Sequence, residues 1–309
     1  MTRAVFRLWA PHAGPRRKPL QCSASIPETI KSNRQVRPVV EVPELRIRTL
    51  IDKQVLDQRQ FVLYWMTSYR RGEWNFSLQR AAEWASELNK PLVILEALRC
   101  DYRWASDRIH QFVIEGMLDN AAFFARKPAL YYPYVETGLG AGKGLLRALA
   151  ADACVVISDD FPCFFLPRMY VAADRQLDSR FELVDSNGLL PMRAADRIFS
   201  RAFDFRRFLQ KTLSEHIDLL PDSSPLSGLR IPKSVSLPSQ VKQKWPPLDI
   251  RATRSAISSA YQNLPIDHTV APTATQGGFR TAQKTLRSFL NNKLASYDDK
   301  RNQPQVDAT

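Results

Sequence analysis

The chain has 309 residues, 44% of them apolar, and a formal net charge of +13. Its length allows one substantial core and part of another, and its composition is ordinary for a globular protein. Four cysteines (Cys22, Cys100, Cys154, Cys163) and four histidines show neither metal-ligand spacing nor a disulfide framework, and no run of about 18 apolar residues is present. A metal centre, a cross-linked secreted scaffold and a membrane span are therefore disfavoured. Reduced, buried cysteines suit a reducing, cytoplasmic setting.

The charge is unevenly spread. Residues 1–40 hold eight basic residues and one acidic, residues 41–220 hold 24 of each, and residues 221–309 hold twelve basic and six acidic. The basicity thus belongs to the two ends. A nucleic-acid face on the neutral middle would need an excess of Lys and Arg there, so nucleic-acid binding by this chain alone is expected to be weak or absent.

Residues 1–57 read as a basic extension without fixed structure. Pro11, Pro15, Pro19, Pro27, Pro38 and Pro43 interrupt any apolar period, and the first acidic residue is Glu28. An acid-free, Arg-bearing start also matches a transit peptide, although no clear amphipathic helix accompanies it. Order begins with a βαβ unit. Residues 61–66 (FVLYWM) form a β-rich apolar run, and RRGEWN follows as a polar break. Leu78, Ala81, Ala82, Ala85 and Leu88 then recur at helical spacing, and PLVIL closes a second strand.

A polar, aromatic connection at 98–106 leads to a helix capped by Asp107. Its apolar face carries Ile109, Phe112, Val113, Met117, Ala121 and Phe124, and Pro128 stops it. ALYYPYV is a third strand, which Pro133 marks as an edge or an irregular one. Then come GLGAGKG, a short helix LLRALA, a fourth strand at 153–157 (ACVVI) and a DDFP turn. A helix after Pro167 and a fifth strand at 181–185 complete the series. This alternation predicts an α/β fold over 58–220: an open, mostly parallel five-stranded sheet with helices on both faces. A helical face follows at Ile198, Phe199, Ala202, Phe205 and Leu209. Six prolines among serines at 221–250 then open an extended linker over 221–275, and a helix returns at 278–296.

Ligands of open parallel sheets sit beyond the carboxyl ends of the strands. Those positions are Thr67, Ser68, Tyr69, Arg70 and Arg71 after the first strand, and Glu96, Arg99, Cys100, Asp101 and Tyr102 after the second. Ser158, Asp159 and Asp160 follow the fourth. They offer aromatic surface, donors and acceptors to a planar organic ligand, and burial of Arg71 against Glu96 or Asp159 would favour such a pocket. GLGAGKGLL does not fit a Walker loop: Thr137 stands where the first Gly belongs, and Gly144 follows Lys143. Gly138, Gly140 and Gly142 read instead as a tight turn into a helix. There is no G-x-S-x-G elbow, and neither His110 nor His216 falls in a catalytic pattern. No catalytic residue is assigned.

The stretch VLYWMTSYRRGEWNFSLQRAAEWASELNKPLVILEAL resembles the opening of the DNA photolyase/cryptochrome family, and its YWM form is closest to the class II cyclobutane-dimer enzymes. DYRWASDRIHQFVIEGMLDNAAFF, ACVVISDDFPCFFLPRM and GGFRTAQKTLRSFLNNKLASYDDKRNQP extend the similarity through most of residues 61–309. The resemblance implies an amino-terminal α/β domain holding an antenna chromophore, a deazaflavin or a folate. A helical domain would hold FAD and damaged DNA, and residues 276–309 would be its truncated beginning. Arg71 and Asn75 match the family's Arg and Asn at the end of the first loop, whereas Trp74 replaces an Asp. Tyr297 matches the Tyr on the flavin side, and Thr309 would open the segment that cradles the FAD phosphates.

The cofactor-binding set on this reading is Thr67, Tyr69, Arg71, Glu96, Asp101, Asp159 and Tyr297. FAD is not expected to be retained. The chain alone is expected not to repair DNA, as a truncated product or as one half of a pair with a separately encoded FAD-binding half. The alternative is a stand-alone small-molecule or partner-binding α/β module without enzymatic activity.

Overall fold

A computed structural model of the chain describes residues 41–306 except 51, 234 and 250–260. The expectations for residues 1–40, Cys22 among them, fall outside the described residues, as does Thr309.

Five strands form the parallel sheet: β2 (Phe61–Met66), β3 (Leu92–Leu98), β4 (Leu130–Val135), β5 (Ala153–Asp159) and β6 (Arg180–Val184). Every residue of β2 and β5 is buried, as near-continuous apolar strands covered on both faces should be. The order across the sheet, completed by a further strand β1 (Ile47–Thr49), is β1-β6-β5-β2-β3-β4. The chain moves outward from β2 through β3 to β4, then returns to place β5 on the other side of β2. That reversal is the switch point at which such sheets open a crevice. As expected from Pro133, β4 is an edge strand.

Helices α1 (Phe76–Glu87) and α2 (Asp107–Phe124) cover one face; α3 (Leu145–Ala150) and α4 (Leu166–Asp174) cover the other. On the first face, Val62, Tyr64, Met66 and Ile94 pack with Leu78, Ala81, Ala82 and Ala85 of α1. On the second, Leu63, Trp65, Leu95 and Phe181 pack with Leu145, Leu149, Tyr170 and Ala173. The two sets alternate along each strand because successive side chains point to opposite faces. Asn75 starts α1 by accepting from the Ser77 and Leu78 amides. At α2 the N-cap is Ser106, and Asp107, expected to be the cap, stands in the first turn.

The second face is incompletely covered. A six-residue helix is about 9 Å long, whereas a six-residue strand spans roughly 20 Å. The short α3 therefore leaves the carboxyl ends of β2, β3 and β4 open between itself and α4. That gap becomes the cleft described below.

Three expectations are corrected. Residues 41–57 are not a structureless extension. β1 pairs antiparallel with β6, giving a sixth strand beyond the five expected. The preceding 3₁₀ turn (Glu44–Arg46) buries Arg46, which donates to the Asp185, Gly188 and Leu189 carbonyls and lies 4.4 Å over the Phe76 ring. Burial lowers its pKa.

The described parts of 221–275 form a belt packed on the sheet rather than a free linker. Leu226 and Ile231 enter the α1 face, and Leu237, Val241 and Trp245 enter the other; Val241 belongs to α6 (Ser239–Lys244). Trp245 is pinned twice, its Nε1 donating to Ala141 O (2.9 Å) and its carbonyl accepting from Tyr132 Oη (2.7 Å). Tyr261 and Leu264 close a third cluster with Ile114 and Met117. The third correction concerns Cys163, which is exposed, unlike the buried Cys100 and Cys154.

Helix α5 (Ala202–Thr212) buries no side chain. Of its expected face, Ile198 is exposed, and Phe199 packs on Phe205 and Phe208 with Arg197 over its ring. Helix α7 (Phe279–Asn292) and the short α8 (Tyr297–Lys300) likewise bury none, and Leu286, Leu290 and Leu294 are exposed. No helix among the described residues is long and apolar enough to cross a membrane.

Candidate functional site

Two fully buried carboxylates shape the carboxyl edge of the sheet. Asp159, at the end of β5, accepts from three successive amides of the loop after β2: Thr67 (2.8 Å), Ser68 (2.6 Å) and Tyr69 (3.0 Å). Its other oxygen accepts from Tyr64 Oη at 2.8 Å. Charge-assisted bonds of this kind offset the burial of an anion. Burial first, then the nearby Asp159 charge, pushes the Tyr64 and Tyr69 hydroxyls well above their ordinary pKa. Glu96 accepts from Arg70 Nη1 (3.0 Å), Asn120 Nδ2 (2.9 Å) and Tyr131 Oη (2.5 Å). Both carboxylates are spent on holding loops.

The arginine that meets Glu96 is Arg70, not Arg71. Arg70 also donates to the carbonyls of Thr67 and Ala97 and thereby ties the β2 loop to β3. Arg71 turns outward, donates to Trp74 O at 2.8 Å and lies 5.8 Å from the Tyr69 ring. Trp74 itself sits at φ +51° just before the Asn75 cap and is exposed. Asp160, the other carboxylate of the turn after β5, is held by Arg48 (2.9 Å) and Arg193 (3.1 Å).

Above these supports lies a two-lobed cleft. The larger lobe, about 390 Å³, has Trp65, Leu95 and Tyr134 in its floor, the glycine loop 140–144 as one wall and Met169, Ala173 and Gln176 of α4 as the other. The smaller, about 200 Å³, is lined by Thr67, Arg70, Tyr102, Phe164, Phe165 and neighbours. Both share Trp65, Ala97, Leu98, Arg99 and Met169, so they lie side by side. Arg99, Lys143 and Arg147 supply cations around the larger lobe, and Arg99 pairs with Asp101 at 3.0 Å. Glu136 binds the Gly142 amide (2.9 Å) through one oxygen and the Cys100 amide (3.0 Å) through the other. Burial, then the Glu136 charge, pushes the Cys100 thiol up to about 11.

The glycines do make a tight turn, with φ of +74° at Gly140 and +94° at Gly144. They also form the cleft wall. A Cβ at Gly142 would lie 3.2 Å from the Tyr134 ring and 3.3 Å from Glu136 Oε1.

Of the residues singled out from sequence, Thr67 lines the smaller lobe and Asp101 the larger, while Tyr69, Arg71, Glu96 and Asp159 line neither. Tyr297 opens α8, where its ring meets Phe289 edge-on at 5.5 Å, and it too lines neither lobe. Glu136, Lys143, Arg147, Met169 and Gln176 were missed. Glu136 was within reach, because it directly follows β4 and the strand-end rule applies to that strand as well.

Open sheet, switch point and an apolar-floored cleft at the carboxyl edge define an α/β domain of the doubly wound class with a candidate ligand site. No family model matches the chain. The deoxyribodipyrimidine photo-lyase of Methanothermobacter thermautotrophicus is 24% identical over 261 residues, which cover 84% of this chain and 53% of that protein. The crystal structure of a class III photolyase from Agrobacterium tumefaciens shares the fold, with a TM-score of 0.54 at 15% identity, over 82% of this chain and 49% of that one. The chain thus spans about half the length of these photolyases. It is similar in sequence to the first and in fold to the second.

Proposed function

We propose that this chain is the antenna-type α/β part of a photolyase-like DNA repair protein, and that the two-lobed cleft holds the light-gathering chromophore, a deazaflavin or a folate. The observation that carries this reading is the pairing of an apolar floor (Trp65, Leu95, Ala97) with a cationic wall (Arg99, Lys143, Arg147) in one cleft. Such a site suits a planar ring with an anionic tail. When bound, the chromophore would supply absorption of near-ultraviolet or blue light. The protein's part is to seat the ring away from water on Trp65 and Met169 and to hold the tail by Lys143 and Arg147.

The described residues do not fit FAD. Helices α5, α7 and α8 bury no side chain, so they do not wall a closed helical cavity. Dimer splitting by reduced FAD belongs, on this reading, to a helical domain outside the described residues. An amphipathic α7 region whose Leu286, Leu290 and Leu294 stay exposed among the described residues fits docking against such a helical domain.

Absorbance tests the reading. The purified chain, exposed to a deazaflavin and to a reduced folate and then desalted, should retain one of them with a shifted near-ultraviolet or blue band. It should not split cyclobutane dimers under light when given FAD alone. A chain that stays colourless after exposure favours the partner-binding alternative.

A further inference from the structure

The smaller lobe has a roof as well as a floor. Two loops meet over it, residues 99–106 between β3 and α2 and residues 160–165 between β5 and α4. They join through two ring pairs, Trp104 with Phe164 (centroids 5.6 Å apart, planes at 78°) and Tyr102 with Phe165 (5.9 Å). Tyr102, Phe164 and Phe165 line the lobe itself. The bases of both loops are fixed. Asp160 is held by Arg48 and Arg193, and its carbonyl accepts from Tyr69 Oη. Tyr102 stacks on the buried His110 ring at 6.1 Å.

Phe164 differs from its neighbours. It is 70% exposed, yet it sits at φ +60°. For a non-glycine residue that conformation costs about 1–2 kcal/mol. Its parallel contact with Phe161 (6.4 Å) and its edge contact with Trp104 hold it there. An exposed ring in strained backbone at the lip of an apolar cavity gains buried surface when a second ring enters beneath it.

We propose that Phe164, braced by Trp104, is the specificity-determining cover of the smaller lobe, closing on the face or edge of a planar aromatic ring bound there. The proposal rests on the reading of the cleft as a chromophore site. It assigns the ring of the ligand to the smaller lobe and its anionic tail to Lys143 and Arg147 in the larger. An aromatic contact contributes about 0.5–1.5 kcal/mol beyond area burial, so its loss speeds ligand release by about three- to tenfold.

Stopped-flow release of 5-formyltetrahydrofolate and of a 5-deazaflavin from the full chain tests this, with Phe164→Ala, Phe164→Gly and Phe164→Tyr variants and their thermal midpoints alongside. Both ring-deleting variants should release the bound probe about three- to tenfold faster. Phe164→Tyr should behave as wild type, and Phe164→Gly, which relieves the positive φ, should keep or raise the midpoint. Wild-type release rates in the alanine and glycine variants would overturn the cover. A wild-type chain that binds neither probe would instead show that the chromophore reading has failed, and the cover with it.

Discussion

Replacing Asp159 by alanine removes the acceptor that three consecutive amides and a tyrosine hydroxyl share. Thr67, Ser68, Tyr69 and Tyr64 all donate to this one carboxylate, within 3.0 Å in each case. Tyr64 and Asp159 are fully buried. Leaving a buried donor unsatisfied costs about 1–3 kcal/mol, and water entering the vacated space recovers part of it. The expected loss is therefore about 3–5 kcal/mol, a large share of a typical domain's stability. Asp159→Asn keeps one acceptor oxygen and should lose about 2 kcal/mol or more, because its amide group faces donors. Urea unfolding followed by tryptophan fluorescence measures both. Since Thr67 lines the smaller lobe, chromophore release should also quicken in whichever variant still folds. A loss below about 1 kcal/mol for Asp159→Ala would refute the assignment of this carboxylate as the anchor of the β2 loop.

Glu96→Gln should destabilise the chain by about 3 kcal/mol, because it strips the charge from a buried pair with Arg70, and the same unfolding assay reads it. Gly142→Ala should narrow the larger lobe, since its Cβ must displace Tyr134 or Glu136 by a few tenths of an ångström; equilibrium titration should show weaker chromophore binding at a stability cost of about 1 kcal/mol. Lys143→Ala combined with Arg147→Ala should weaken binding and flatten its salt dependence, measured by titration at low and high ionic strength.

His268, paired with Asp107 at 2.7 Å and close to Asp267, has its pKa raised by that hydrogen bond. Its contribution is complete below the ordinary histidine pKa and disappears as pH rises through the elevated one. Unfolding midpoints of wild type should accordingly fall relative to His268→Gln as pH rises above the ordinary histidine pKa of about 6.5.

The parallel strands were legible because burial on both faces leaves runs such as VLYWM and ACVVI with no polar alternation to confuse. Three features were not. β1 is three residues, Ile47–Thr49, with an Arg at its centre, and it exists because β6 offers an open edge rather than because the segment favours a strand. Arg70 and Arg71 are chemically identical neighbours, and only the course of the loop after β2 decides which one reaches Glu96. Residues 221–249 have the prolines and serines of a linker, yet Leu226, Ile231, Leu237, Val241 and Trp245 recur often enough to fasten an extended chain to the sheet. At the site, the strand-end rule located Thr67, Arg70, Arg99, Asp101 and Tyr102. It also pointed to Asp159 and Glu96, whose polarity serves the loops instead of a ligand. The glycine loop was visible as a turn, but its place as a wall depends on Tyr134 and Glu136 lying against Gly142.

The most direct measurement compares chromophore uptake by the wild-type chain with that of Ala97→Trp, which places an indole at a position common to both lobes. Saturable one-to-one binding of a deazaflavin or a reduced folate by wild type, abolished in a folded Ala97→Trp variant, is the result expected here. Equal uptake by the two proteins, or none by wild type, would contradict it.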